Sequence, residues 1–149
     1  MKDDPKNRLG EEILHYAKIA HLAGQPLCAV DRAGQLAYLM HQTIPSPCCC
    51  LYYLDRKHRL LAREVLYSGI LLTAAECCAY LSRGMHTHRA SSVFVSLASE
   101  NEGMTREDLD RASRIALFCE SENIPLLDVI WVDRAEYLPV CRFFRNENI

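Results

Sequence analysis

Residues 92–112, SVFVSLASENEGMTREDLDRA, join an apolar segment to a polar loop and a helix-like segment, an order in which loops often hold reactive side chains. The loop contains Ser99, Glu100, Asn101 and Glu102, but neither histidine nor cysteine. Zinc sites and nucleophilic sites in proteins usually need at least one of those two residue types. The junction therefore has the element order of a functional site without the expected side chains.

Eight cysteines are the next candidates for chemistry. They include adjacent runs at 48–50 and 77–78 and no C-x-x-C motif, so their spacing does not predict a structural zinc site or a redox dithiol. Neighbouring strand residues face opposite sides of a sheet, which places Cys48 and Cys50 on one face and Cys49 on the other. We expect reduced thiols that pack as small hydrophobic side chains, with a cysteine metal site as the alternative.

Two helices and a hairpin are predicted in the first half of the chain. Apolar residues at helical spacing predict a first helix that ends near Gly24, whereas residues 26–43 are ambiguous because the stretch 31–34 either joins a short strand to a helix or interrupts one helix. Two apolar segments around the polar turn 55–58 predict a β-hairpin with strands near 48–54 and 59–67.

The second half alternates helices and strands. Thr73 and Glu76 are spaced as a capping box, which predicts a helix that starts there and ends at Gly84. An apolar strand follows, then a helix from Thr105 with an apolar stripe, then a strand at 125–133 and a final short segment. Together these elements predict an α/β (α+β) fold, a mixed β-sheet flanked by helices.

Composition limits the classes of partner. The 149 residues fit one globular domain with a sizeable core, and 17 basic against 19 acidic residues give a net charge of −2. Such a balance provides no basic footprint for nucleic acid, so we expect no nucleic-acid partner. The first residues are charged and no apolar run approaches the roughly 20 residues of a membrane span, so we expect a cytoplasmic protein without a membrane partner.

The order of these motifs resembles a known family. The segment LYYLDRKHRLLAREVLYSG (51–69), the helix and strand after it, TREDLDRA (105–112) and IPLLDVIWVDRAEYLPV (124–140) resemble the JAB/MPN domain of RadC-like bacterial proteins. The resemblance covers about residues 48–140. It implies a JAB/MPN-like (cytidine-deaminase-like) fold at 46–149, preceded by a helical extension at 1–45 that packs on it.

The resemblance also implies a hydrolytic zinc centre. Active JAB/MPN (JAMM) domains hold zinc with an H-x-H-P segment and the aspartate of a serine-x-x-aspartate motif, while a glutamate polarises the zinc-bound water that attacks an amide. Three protein ligands leave a fourth position for water, whose pKa zinc lowers from about 16 to about 7. Glu64, five residues before Gly69, matches the glutamate, and Thr105 with Asp108 matches the aspartate motif.

The histidine segment has no counterpart. Its two positions fall on Val95 and Leu97 or on Leu97 and Ser99, depending on how the loop is aligned. One carboxylate cannot build a three-ligand site, so we expect a catalytically inactive, metalloprotease-like pseudoenzyme without a cofactor. Such a domain is expected to bind a protein partner or to form a homodimer as an assembly module.

The alternative is an active zinc-dependent JAMM-type peptidase or isopeptidase with a rearranged site, in which His86 and His88 supply the imidazoles beside Glu64 and Asp108. An alignment of His86 and His88 with the family's histidine pair would place an apolar strand inside the loop that should carry the ligands. We therefore expect His86 and His88 to be two exposed histidines in the connection between a helix and a strand. The acids also have structural interpretations. Thr105 and Asp108 fit a helix N-cap, and Glu64 fits a pair with an arginine or an exposed strand edge.

Overall fold

A five-stranded mixed sheet with helices on both faces organises the chain. The computed structural model describes residues 5–27, 30–42, 44, 48–67, 73–99, 103–134 and 136–140. Its elements are α1 (Pro5–Ala23), α2 (Val30–His41), β1 (Cys48–Leu54), β2 (Leu60–Tyr67), α3 (Ala74–His88), β3 (Ser92–Ala98), α4 (Arg106–Ser121), β4 (Leu126–Val132) and β5 (Tyr137–Pro139). The strand order is β2-β1-β3-β4-β5, with β3 and β4 parallel and the other pairs antiparallel. The predicted mixed α/β fold is confirmed.

The predicted hairpin is confirmed nearly to the residue. β1 and β2 pair antiparallel, with Leu51 opposite Glu64. The Asp55 carboxylate accepts hydrogen bonds from the backbone N–H groups of Lys57 and Arg59, at 2.8 and 3.0 Å. His58 closes the turn in the left-handed region, with φ of 62°. A polar side chain that satisfies turn N–H groups is what asparagine and aspartate supply in such loops.

β1 is buried on both faces and separates two apolar layers. Cys49, Leu51 and Tyr53 face the layer formed with α3 and α4, whereas Tyr52 and Leu54 face the layer formed with α2. Each strand residue points opposite to its neighbour, so one strand contributes to two cores. The placement of Cys49 on the face opposite to Cys50 is confirmed.

The ambiguous stretch at 31–34 lies within one continuous helix, α2. Gly34 faces β5 so closely that a Cβ there would overlap the Tyr137 ring, which explains a glycine inside the helix. The buried residues Ala33, Leu36, Ala37 and Met40 follow helical spacing and pack on the sheet. α2 thus shares a core with the sheet. The division of the chain into two parts at residue 45 stays a prediction.

The predicted end of α3 at Gly84 is wrong. The capping box of Thr73 and Glu76 is present as predicted, but the helix continues to His88 and ends at Arg89, whose φ is 52°. Gly84 is buried, and a Cβ there would overlap the Tyr53 hydroxyl. The glycine therefore serves close packing of helix on sheet, which overrides its low helix propensity.

α4 begins where the sequence predicted. Thr105 is its N-cap, and Ala112, Ile115 and Cys119 form its buried face. Residues 100–102 of the loop before it, and the tail 141–149, lie outside the described residues. Across the part of the chain that the structure describes, no helix is both long enough and apolar enough to cross a membrane.

Candidate functional site

Glu64 lies on the face of β2 that is turned towards α3. Its Oε1 accepts a hydrogen bond from the buried Tyr53 hydroxyl at 2.9 Å, and the same hydroxyl lies 3.2 Å from the Tyr80 carbonyl oxygen. Arg63 points to the opposite face and reaches the Met40 sulfur at 3.1 Å, so it does not pair with its neighbour. Burial, followed by the hydrogen bond to Glu64, raises the pKa of Tyr53, which keeps this phenol a donor.

Asp108 and Thr105 form a reciprocal cap at the start of α4. The Asp108 carboxylate accepts from both the backbone N–H and the hydroxyl of Thr105, each at 2.9 Å, and the Asp108 N–H donates to the Thr105 hydroxyl at 3.2 Å. The carboxyl group is buried and occupied by these bonds. The structural interpretation of this pair as a helix cap is confirmed.

The positions that correspond to the family's histidines run from the middle of β3 to the residue just after it. Val95 and Leu97 belong to the apolar layer between the sheet and α3 and α4. Ser99 follows the strand and is half-buried. Under either alignment, the described side chains at these positions are aliphatic or hydroxylic, which are poor zinc ligands.

His86 and His88 lie in the last turn of α3, both exposed, and not in a connection after the helix as expected. The His88 ring stands 5.0 Å from the Tyr53 ring, so Tyr53 touches both His88 and Glu64. α3 ends where β3 begins, whereas α4 begins beyond the other end of β3. Seven residues of strand span roughly 20 Å. The structure therefore brings His88 near Glu64 but leaves both histidines far from Asp108.

A different cluster lies on the other face of the sheet. The ligand atoms of His41, Cys48 and Cys50 all lie within 4.8 Å of one another, and all three side chains are buried. His41 is the last residue of α2, and the cysteines alternate along β1. Among the described residues, these three are the histidine, cysteine or acidic side chains whose ligand atoms come close enough together to hold one metal ion.

Hydrogen bonds fix the cluster on both sides of the imidazole. The Cys48 sulfur lies 3.2 Å from His41 Nδ1, and the Ser96 hydroxyl lies 2.6 Å from His41 Nε2. Ser96 in turn contacts the Tyr52 hydroxyl at 2.8 Å. The six described cysteines are buried and form no disulfide, as expected for thiols that pack in the core. Cys48 and Cys50 also belong to a polar network.

The two thiols of the cluster differ in acidity. A hydrogen bond from Cys48 lowers the pKa of Cys50 to about 5, and a hydrogen bond from His41 acts in the same direction while burial opposes both. The same bond, together with burial, raises the pKa of Cys48. Since two adjacent buried thiols do not both ionise readily, the first negative charge belongs on Cys50.

Sequence reasoning missed His41. A search for spaced ligand motifs finds pairs such as C-x-x-C, whereas this cluster uses alternate strand residues and a histidine seven positions earlier on a helix. The shared face of Cys48 and Cys50 was visible in the alternation of a strand. The tertiary packing decides that α2 covers this face. That packing brings the last residue of the helix, His41, to the two cysteines.

A cleft opens beside the cluster at the carboxyl ends of the parallel strands β3 and β4. Its volume is about 630 Å³, and it is lined by Tyr38, His41, Gln42, Ile44, Ala98, Ser99, Val132, Asp133 and Arg134. Ligands in open α/β sheets bind at this edge of parallel strands. His41 belongs both to the cleft wall and to the buried cluster.

The fold and these sites define a mixed α/β domain with two separate groups of reactive side chains. No family model matches the chain. Over 73 residues, the chain is 34% identical to a UPF0758 protein of Alcanivorax borkumensis, a match that covers 49% of this chain and 33% of that protein. The chain thus spans about a third of the length of the curated relative that it matches.

Proposed function

We propose that this chain is a RadC-like JAB/MPN domain without a JAMM hydrolase centre, and that it works as a protein-binding or assembly module. UPF0758 is the RadC-like family, so the similarity to the Alcanivorax borkumensis protein agrees with the motif resemblance at 51–69 and 105–140. The match covers about half of the chain.

The observation that carries the proposal is the burial of Leu97. Either alignment of the family's histidine pair uses this position, and its side chain packs in the apolar layer with 3% of its surface exposed. An imidazole there would have to enter a hydrophobic core without a polar partner, which costs about 1–3 kcal/mol in protein mutational data. The local packing therefore favours a leucine and disfavours a ligand.

The two remaining acids support the same interpretation. Glu64 accepts from Tyr53, and Asp108 accepts twice from Thr105, so each carboxylate has a structural partner. The α3 histidines lie near the start of β3, whereas Asp108 lies beyond its other end, roughly 20 Å away by the length of a seven-residue strand. A zinc ion held by both Asp108 and the α3 histidines would need one helix to move along the length of the strand.

Exposed apolar side chains on α4 support a binding role. Leu117 and Phe118 are adjacent on this helix and are 62% and 41% exposed. Phe118 also borders a cleft between α3 and α4 with a volume of about 620 Å³. Adjacent large apolar side chains beside a cleft are typical of surfaces that contact another protein.

The rearranged hydrolase remains the second candidate because one contact favours it. Tyr53 connects Glu64, through a 2.9 Å hydrogen bond, with His88, through a ring contact at 5.0 Å. A site built there would use an acid and an imidazole on the α3 face of the sheet. It would lack Asp108, so it would need a ligand that the family does not use.

Zinc content and amide hydrolysis test the proposal together. Full-length protein is purified without chelators, and wild type is compared with Asp108→Asn and Glu64→Gln for bound zinc and for hydrolysis of an isopeptide substrate. We expect equal zinc content in wild type and Asp108→Asn and no hydrolysis that depends on Glu64. Near-stoichiometric zinc that is lost in Asp108→Asn, with turnover that is lost in Glu64→Gln, would contradict the proposal.

Assembly is tested by sedimentation at rising protein concentration. We expect self-association that weakens in the Leu117→Ser, Phe118→Ser double variant. Leu14→Ser is the matched control, because Leu14 is a similarly exposed leucine, 56%, on α1. A monomer at every concentration would rule out the homodimer, and equal loss in the control would rule out the α4 surface.

A further inference from the structure

We propose that His41, Cys48 and Cys50 form a zinc-binding site on the α2 face of the sheet. Nδ1 of His41 and the two cysteine sulfurs would coordinate the ion, and a water or small ligand would complete the coordination from the neighbouring cleft. This inference is independent of the proposed function, because the site contains neither Glu64 nor Asp108 and lies on the opposite face of β1 from Glu64.

The distances fit a tetrahedral ion after a small contraction. Zinc binds cysteine sulfur at about 2.3 Å and histidine nitrogen at about 2.0–2.1 Å, which places ligand atoms roughly 3.5–3.8 Å from one another. The three ligand atoms here already lie within 4.8 Å, and Cys48 Sγ lies 3.2 Å from His41 Nδ1. The required shifts are below about 1.5 Å by the same bond lengths, within the reach of side-chain rotation.

The groups around the ligands are those that a metal site needs. A histidine ligand usually donates its second ring N–H to an oxygen, which fixes the tautomer and the ring orientation. Here His41 Nε2 lies 2.6 Å from the Ser96 hydroxyl, which leaves Nδ1 free to coordinate beside Cys48. Ser96 is in turn held by the Tyr52 hydroxyl at 2.8 Å. The imidazole therefore has an outer partner that is itself fixed by a hydrogen bond.

The donor set selects the kind of metal. Two thiolates and one imidazole are soft to borderline ligands, which favour zinc or copper(I) over magnesium and calcium. Two thiolate charges balance one divalent cation, so the occupied site would be neutral overall. Neutrality matters because Cys48 and Cys50 are completely buried, and an unbalanced charge at that depth would be strongly disfavoured.

The cleft supplies access to the fourth position. His41 is 8% exposed and lines the cleft of about 630 Å³, together with Ser99 and Asp133. Two cysteines, one histidine and an exchangeable ligand form a donor set found in catalytic zinc sites, whereas structural sites use four protein ligands. The site is therefore assigned to a zinc ion that can exchange its fourth ligand with molecules in the cleft.

The experiment measures zinc and cobalt binding by the reduced, full-length chain. Zinc affinity is obtained by competition with a chromophoric chelator, and Co²⁺ is added as a spectroscopic substitute. We expect one ion per chain and an intense thiolate-to-cobalt charge-transfer absorption. Cys50→Ser and His41→Gln should abolish both signals, whereas the Cys49→Ser control should keep them, because Cys49 lies between the two ligands but faces the other layer.

Two further variants separate metal binding from a folding defect. Ser96→Ala removes the outer partner of His41 and should weaken zinc binding about 10–100-fold without abolishing it. Asp108→Asn should leave affinity unchanged, so a failure of this proposal is distinct from a failure of the proposed function. No binding by folded wild type at micromolar free zinc, or unchanged binding in folded Cys50→Ser, would show that the cluster is a hydrogen-bonded core network only.

Discussion

The Tyr53 hydroxyl donates to Glu64 Oε1 at 2.9 Å and thereby ties the C-terminal end of β1 to the edge strand β2. Tyr53 is fully buried, while the glutamate is half-buried at the sheet edge. The residue that the family resemblance presents as catalytic is thus a hydrogen-bond acceptor for a core phenol. A structural role of this kind can be measured as stability.

Tyr53→Phe should destabilise the fold by about 1–2 kcal/mol, because it leaves the Glu64 carboxylate without its buried donor. Chemical denaturation measures the change in free energy of unfolding. The matched control is Tyr16→Phe, since Tyr16 is 64% exposed and its change should stay within about 0.5 kcal/mol. Combining Tyr53→Phe with Glu64→Ala, which removes the acceptor, should cost less than the sum of the two single variants; full additivity would show that the bond contributes nothing.

Gly84→Ala should destabilise the protein although alanine favours helices by about 1 kcal/mol over glycine. The added Cβ overlaps the Tyr53 hydroxyl, and such overpacking typically costs about 1–3 kcal/mol. Thermal unfolding measures the net change. Gly24→Ala is the control, because a Cβ at Gly24 meets its nearest neighbours at an ordinary 3.7 Å. An increase in stability at position 84 would argue against the close packing of α3 on β1.

Thr105→Ala should cost about 0.5–2 kcal/mol, as expected for the loss of an N-cap hydroxyl. The hydroxyl both accepts from the Asp108 N–H and donates to its carboxylate, so the capping box is lost as a unit. Thr105→Ser keeps the hydroxyl and should recover most of the stability in urea denaturation. If Thr105→Ala left stability unchanged, the structural explanation of this motif would fail.

The hairpin turn should make stability depend on pH through Asp55. The backbone hydrogen bond from Arg59 holds the pKa of Asp55 below its ordinary value; desolvation opposes this effect, and the backbone hydrogen bond from Lys57 adds to the lowering. A lowered folded-state pKa means that the contribution is complete above the unfolded pKa, about 3.9, and is lost as the pH falls through the folded pKa.

The comparison of wild type with Asp55→Ala measures this contribution. The difference in their free energies of unfolding should be largest at pH 6–7 and should shrink as the pH falls below the unfolded pKa of about 3.9 and the carboxylate of wild type protonates. Glu120→Ala, at an exposed position of α4, controls for general effects of acid. A difference that grows towards low pH would contradict the sign of the pKa shift.

Local patterns predicted most of the secondary structure because its causes are local. Two apolar segments around the polar turn 55–58 predicted the hairpin, the spacing of Thr73 with Glu76 predicted a capping box, and Thr105 with Asp108 predicted a helix N-cap; the structure contains all three. The two caps depend on residues three positions apart, and the hairpin depends on a short polar turn between two neighbouring apolar segments. Gly84 misled the prediction because its use is set by Tyr53, which lies 31 positions earlier in the chain.

By itself, the amino-acid sequence determined the mixed α/β class, the order of the elements from the hairpin onward, the absence of histidine from the strand-to-helix junction and the two faces of the cysteine run, because each follows from residue type and period. Only the tertiary structure decided that His88 meets Tyr53 while lying far from Asp108, and that His41 reaches Cys48 and Cys50. Those meetings depend on which helix covers which face of the sheet, and that choice minimises the exposed apolar area of the whole chain rather than of any one segment.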